Sequence, residues 1–120
     1  MIATDCDGSY SLKISIASGI VDFMVTINLS CQDFEVIERD DERAALLHAA
    51  LHHPFQLKDT ALNEVKQRNF LNKILHASKS DVEKFLTNMD HGTANGAISN
   101  MIRITCKKDQ SLMRKGHWFN

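Results

Sequence analysis

With 120 residues, 43% of them hydrophobic and 24% charged, the chain has the composition of one globular domain with one core, which argues against a disordered segment, a fibrous repeat or a disulfide scaffold. No stretch reaches the ~18 apolar residues a membrane span requires, and the start Met1-Ile2-Ala3-Thr4-Asp5-Cys6-Asp7 lacks the basic flank and apolar run of a secretory signal. A single cytoplasmic domain over residues 1–120 is expected. The net charge of −1 conceals a polarity, since residues 1–42 hold nine acids against Lys13 and Arg39, whereas residues 98–120 hold five bases against Asp109.

Tyr10, Leu12, Ile14 and Ile16 alternate with Ser9, Ser11, Lys13 and Ser15, the period that puts one face of a strand against a core. After the turn signal Ala17-Ser18-Gly19 the alternation resumes through Val21, Phe23, Val25, Ile27 and Leu29, so the two segments predict an antiparallel β-hairpin. Cys31 to Arg39 fits a third strand or a short helical turn. From Asp40 the period becomes helical. Asp40 and Asp41 suit the cap and first turn, Ala44, Leu47 and Leu51 form a stripe, and Pro54 is expected to end the helix by pushing His53 out of helical geometry.

Thr60 is the expected cap of a second helix running to about Ala77. Within it Leu62 and Val65 point nearly opposite to Phe70, Leu71, Ile74 and Leu75, so it is either covered on two sides or broken near Gln67 to Asn69. Ser80-Asp81-Val82-Glu83 reads as a capping box ahead of Phe85, Leu86 and Met89, and Gly92 fits a left-handed position after that helix. Asn95-Gly96 marks a turn, and Ile102, Ile104 and Cys106 alternate as a C-terminal strand would. Trp118 and Phe119 are available to dock on the core. The expected class is α+β, with an N-terminal antiparallel β-hairpin that a C-terminal strand extends to a three- or four-stranded sheet, packed against about three helices.

The candidate chemistry is sparse. Cys6, Cys31 and Cys106 are odd in number and form no CxxC pair, so they read as reduced thiols, two of them on buried strand faces. His48 and His52 stand four apart on the second predicted element, as two zinc ligands could, but Ala49 occupies the place of the glutamate in HExxH and no further ligand follows at a recognisable spacing. Their reading is as boundary rings beside the Leu47/Leu51 stripe. Asp90-His91-Gly92 reads as a helix terminus rather than an acid and imidazole pair. Gly92-Thr93-Ala94-Asn95-Gly96 lacks the Lys-Ser/Thr of a phosphate-binding loop. The basic residues Lys107, Lys108, Arg114 and Lys115 are expected to fold back onto the protein's own carboxylates rather than to track nucleic acid. No metal or other cofactor is implied, and folding should need neither metal nor disulfide.

The remaining constellation is the acidic block Glu35, Glu38, Asp40, Asp41 and Glu42, which exceeds what helix capping uses. It reads either as a solvated face or as a surface complementary to a basic partner protein, where like-signed carboxylates steer encounter. With the hairpin YSLKISIASGIVDFMVTINL, the acidic junction EVIERDDERAALLHAALHH and the helical body behind it, the chain resembles the small immunity proteins that bacteria encode beside contact-dependent or polymorphic toxins. The resemblance covers the whole length as one of build. It implies an inhibitor without catalytic residues that binds a toxin, often a nuclease, through an acidic surface. The expected partner-binding residues, taken from the charge pattern, are Glu35, Glu38, Asp40, Asp41 and Glu42. A small histidine-dependent hydrolase built on His48, His52 and His91, and a regulatory subunit of a larger assembly, are the alternative readings.

Overall fold

The computed structural model describes residues 1–18, 21–58 and 61–119. Three strands, β1 (Ile2–Cys6), β2 (Ser9–Ser18) and β3 (Val21–Leu29), form one antiparallel sheet in the order β1-β2-β3. Six helices among the described residues follow: α1 (Cys31–Arg39), α2 (Asp41–Leu57), α3 (Glu64–Leu75), α4 (Lys79–His91), α5 (Ala97–Cys106) and α6 (Gln110–Arg114). The α+β class and the β2–β3 hairpin agree with the sequence reading, although Ala17 and Ser18 of the expected turn are strand residues paired with Asp22 and Val21, and Gly19 lies outside the described residues. The third strand comes from the other end of the chain. Asp7 and Gly8 adopt φ of 53° and 81° between the paired residues Cys6 and Ser9, which is the two-residue turn that Asp-Gly favours.

The expected C-terminal strand is instead α5. Ile98 and Ile102, four apart, are both buried, whereas Ile104 is 54% exposed and Cys106 is exposed, so burial follows a helical period and not alternation. This correction accounts for part of the difference between about three helices and six. The rest comes from Cys31–Arg39, which resolves as a helix because Ser30 and Asp33 close a capping box at its start, and from the short α6.

Several boundaries differ too. Pro54 does not end α2, which continues to Leu57 with Lys58 N–H bonded to the Pro54 carbonyl; Phe55, 1% exposed, anchors the turn that carries the proline. Thr60 lies outside the described residues, and Asn63 caps α3 through Lys66 N–H. That helix is unbroken through Gln67 to Asn69 and buried on one side only, because Leu62 precedes it and Val65 is 79% exposed. Ser78, not Ser80, caps α4 by accepting from Asp81 N–H. Glu83 is thereby released from the expected box to bond the C-terminal tail. Gly92 follows α4 at φ −93°, outside the left-handed region, and its N–H closes the helix on the Asn88 and Met89 carbonyls. All three cysteines are exposed. Cys31 and Cys106 sit on helices rather than strands, and Cys6 faces away from the core at the end of β1.

The core lies between one face of the sheet and the helices. Leu12, Ile14, Ile16 and Ile27 meet a helical layer in which Leu46, Leu47 and Leu51 of α2 are each no more than 1% exposed. α2 is central, packing on β2, α1, α3 and α5. Trp118 is fully buried. Its indole N–H donates to Thr87 Oγ1 at 3.0 Å and its backbone N–H to Glu83 at 2.8 Å, so the tail docks as expected. Among the described residues no helix is long and apolar enough to cross a membrane.

Candidate binding surface at the α1–α2 junction

Two helices meet at a single residue. Asp40, extended at φ −123° and ψ 93°, ends α1 by donating its N–H to the Val36 carbonyl and starts α2 by accepting from Arg43 N–H. Its carboxylate also pairs with the Arg43 side chain at 3.3 Å. A helix interrupted and restarted at one capping residue places Glu38, Asp41 and Glu42 near a helix end, with Glu35 one turn back on α1.

Asp33 anchors α1 from below and is absent from the sequence-based site. It is fully buried, accepting from Ser30 N–H at 2.8 Å and pairing with Arg68 at 2.8 Å and His76 at 2.7 Å. Burial pushes its carboxyl up, but hydrogen bonds from Arg68, the Ser30 backbone and His76 outweigh this and hold it down at about 2. The Ser30-x-x-Asp33 spacing was a signal for it; the partners on α3 and just beyond it were not legible.

The five expected binding residues divide. Asp40 is the cap of α2, and Glu42 pairs with Lys108 at 3.1 Å, whose ammonium also donates to the Trp118 carbonyl. Glu35, Glu38 and Asp41 are exposed and form no ion pair among the described residues. Glu35 accepts from the Cys31 thiol at 3.6 Å. The negative region extends onto the sheet. Tyr10 stacks on Phe34 of α1, and its phenol is raised above its ordinary value by a hydrogen bond with Cys31, then by the charge of Asp5, with Glu35 adding to it. Asp5 of β1 and Glu35 of α1 thus act on one hydroxyl.

The basic tail folds back as expected in two places, Lys108 onto Glu42 and Arg114 onto Asp90 at 2.9 Å. Lys107 and Lys115 are exposed.

The histidines do not assemble. His48 and His52 are half-buried and meet edge to face on α2 with ring centroids 6.2 Å apart. Burial first, then the chain's amino terminus and His52, push His48 down to about 4; burial and then His53 lower His52. His52 Nε2 accepts from Ala17 N–H at 3.4 Å. His52 and His53 border a groove of about 290 Å³ between α2 and α5, whose lining contains no carboxylate or thiol. His91 lies at the end of α4, donating from Nε2 to the Arg114 carbonyl at 2.6 Å and accepting from the Arg114 guanidinium at Nδ1, 3.1 Å. Among the described residues no group of three or more His, Cys, Asp and Glu side chains is placed to hold a metal ion. No family model matches the chain, and neither a curated protein nor a solved structure matches it significantly.

Proposed function

We propose that the chain is a protein-binding module that neutralises a basic partner, of the kind a nuclease toxin presents, through the acidic surface at the α1–α2 junction. One observation carries this reading: Glu35, Glu38 and Asp41 are exposed and without an ion pair among the described residues, while the neighbouring acids Asp33, Asp40 and Glu42 are all engaged within the fold. Carboxylates left facing solvent beside a rigid, fully capped helix junction keep their charge available to a cationic surface, which raises encounter rates and discriminates against acidic competitors. Binding of this kind needs shape and charge and no reactive group.

The test uses Glu35→Lys with Glu38→Lys, leaving Asp40 and Glu42 in place because they cap α2 and hold Lys108. Association with a basic partner recovered by affinity capture should slow by about tenfold or more at low ionic strength, and the difference should shrink as salt screens it. The melting temperature should change little, since exposed charges contribute about 0 to 1 kcal/mol each. An unchanged association rate at low salt, or retention of no basic protein, would overturn the reading.

A further inference from the structure

β3 is an edge strand with a free side. It pairs with β2 from Tyr10↔Leu29 to Ser18↔Val21 without a bulge, and among the described residues no backbone hydrogen bond ties it to anything else. Natural edge strands are blunted by lysines, prolines, bulges, short length or a covering element. The nine residues VDFMVTINL carry none of the first four, and their only charge is Asp22. The opposite edge, β1, is five residues long; α1 packs on all three strands, and α3 flanks β3 at Asn28.

The core side of β3 is also incompletely covered. α2 lies over β2, whose Leu12, Ile14 and Ile16 are fully buried, while Phe23 and Val25 of β3 pack against the same core and are only partly buried. We propose that β3 pairs antiparallel with β3 of a second copy of this chain across a twofold axis, joining two three-stranded sheets into one of six strands. The register centred on Val25 uses the full strand. It sets Phe23 opposite Ile27, Met24 opposite Thr26 and Asp22 opposite Asn28, so no like charges face each other and both apolar faces run on continuously. A twofold axis normal to the sheet is the arrangement that keeps the core face of each copy on the same side. The net charge of −1 adds little repulsion between copies. This pairing uses none of the residues of the acidic junction and stands apart from the proposed function.

Sedimentation equilibrium of the full chain tests it. The wild type should dimerise reversibly over about 1 to 200 µM. Met24→Glu with Thr26→Glu puts carboxylates face to face twice across the axis, while within each copy position 26 stays opposite Lys13; dimerisation should weaken by about tenfold or more. Met24→Lys with Thr26→Glu places opposite charges at the same two contacts and should restore it. A wild type that is monomeric throughout that range, or a double-glutamate chain as dimeric as the wild type, overturns the proposal. A lysine–glutamate chain that associates no better than the double-glutamate chain overturns this register.

Discussion

Asp33 and His48 make the stability of this protein pH-dependent in two separate windows. His48 is held at about 4 against an ordinary 6.5, chiefly by burial, so between those values the unfolded chain binds a proton that the folded chain refuses. Stability therefore falls as pH drops from about 6.5 to about 4, by on the order of 2 kcal/mol once partial exposure of the ring is allowed for. Asp33, at about 2 against an ordinary 3.8, contributes stability that is present above 3.8 and lost as pH falls towards 2. Urea melts across this range should show both limbs, and His48→Gln should reduce the upper one, to which His52 also contributes, while leaving the lower. Asp33→Asn removes the charge that Arg68 and His76 address and should cost roughly 2 kcal/mol at neutral pH, because the buried position then offers a neutral amide to donors that solvent partly reaches. A loss below about 1 kcal/mol would mean that solvent largely screens these groups in the folded state.

At the scale of elements, several helix ends are closed by side chains from elsewhere in the chain. α5 starts at Gly96, which has φ 87° and no side chain to cap with. Asp90 on α4 does this work, accepting from Ser99 N–H at 2.9 Å and Ser99 Oγ at 2.7 Å while its other contact is Arg114. Asp90→Ala should therefore destabilise by roughly 3 kcal/mol, since it uncaps a helix and removes the carboxylate that Arg114 pairs with, whereas Ser99→Ala should cost only about 1. Denaturant titration of both variants checks the ordering. Arg43 plays the converse part at the end of α3, donating to the carbonyls of Ile74, Leu75 and Ala77 at 2.9, 3.3 and 2.7 Å. Arg43→Met should lower stability by about 2 kcal/mol and speed amide exchange at the α3–α4 connection before it affects the sheet.

Across the whole molecule the two ends of the chain are tied through the helical layer. The N-terminal sheet packs on α2, Glu42 of α2 holds Lys108, Lys108 holds the Trp118 carbonyl, and Glu83 of α4 accepts the Trp118 and Phe119 N–H groups. Phe119 lies within 5.6 and 5.3 Å of the Arg43 and Lys79 cations. Tail and sheet should unfold in one transition, and Trp118→Ala should lower stability by about 3 to 5 kcal/mol by opening a cavity against α4. Tryptophan fluorescence and far-UV circular dichroism of the wild type should give coincident melts. Separate midpoints would show the tail to be an independent unit.

The sequence by itself determined what local period and local capping decide. The β2–β3 alternation, the Asp40 cap and the Leu47/Leu51 stripe all follow from residues within a turn or two of one another, and so does the acidic character of the α1–α2 junction. Asp7-Gly8 was equally local, and it carried the third strand. Tertiary structure decided the rest. Residues 98–106 satisfy both periods, and only the packing of Ile98 and Ile102 and the remote Asp90 cap select the helix. Likewise the charges of Asp41 and Glu42 are indistinguishable in the chain, and it is Lys108, 66 residues away from Glu42, that separates an acid engaged in the fold from one left facing solvent. Such assignments depend on which distant group arrives within hydrogen-bonding reach, which is set by the packing of the whole core.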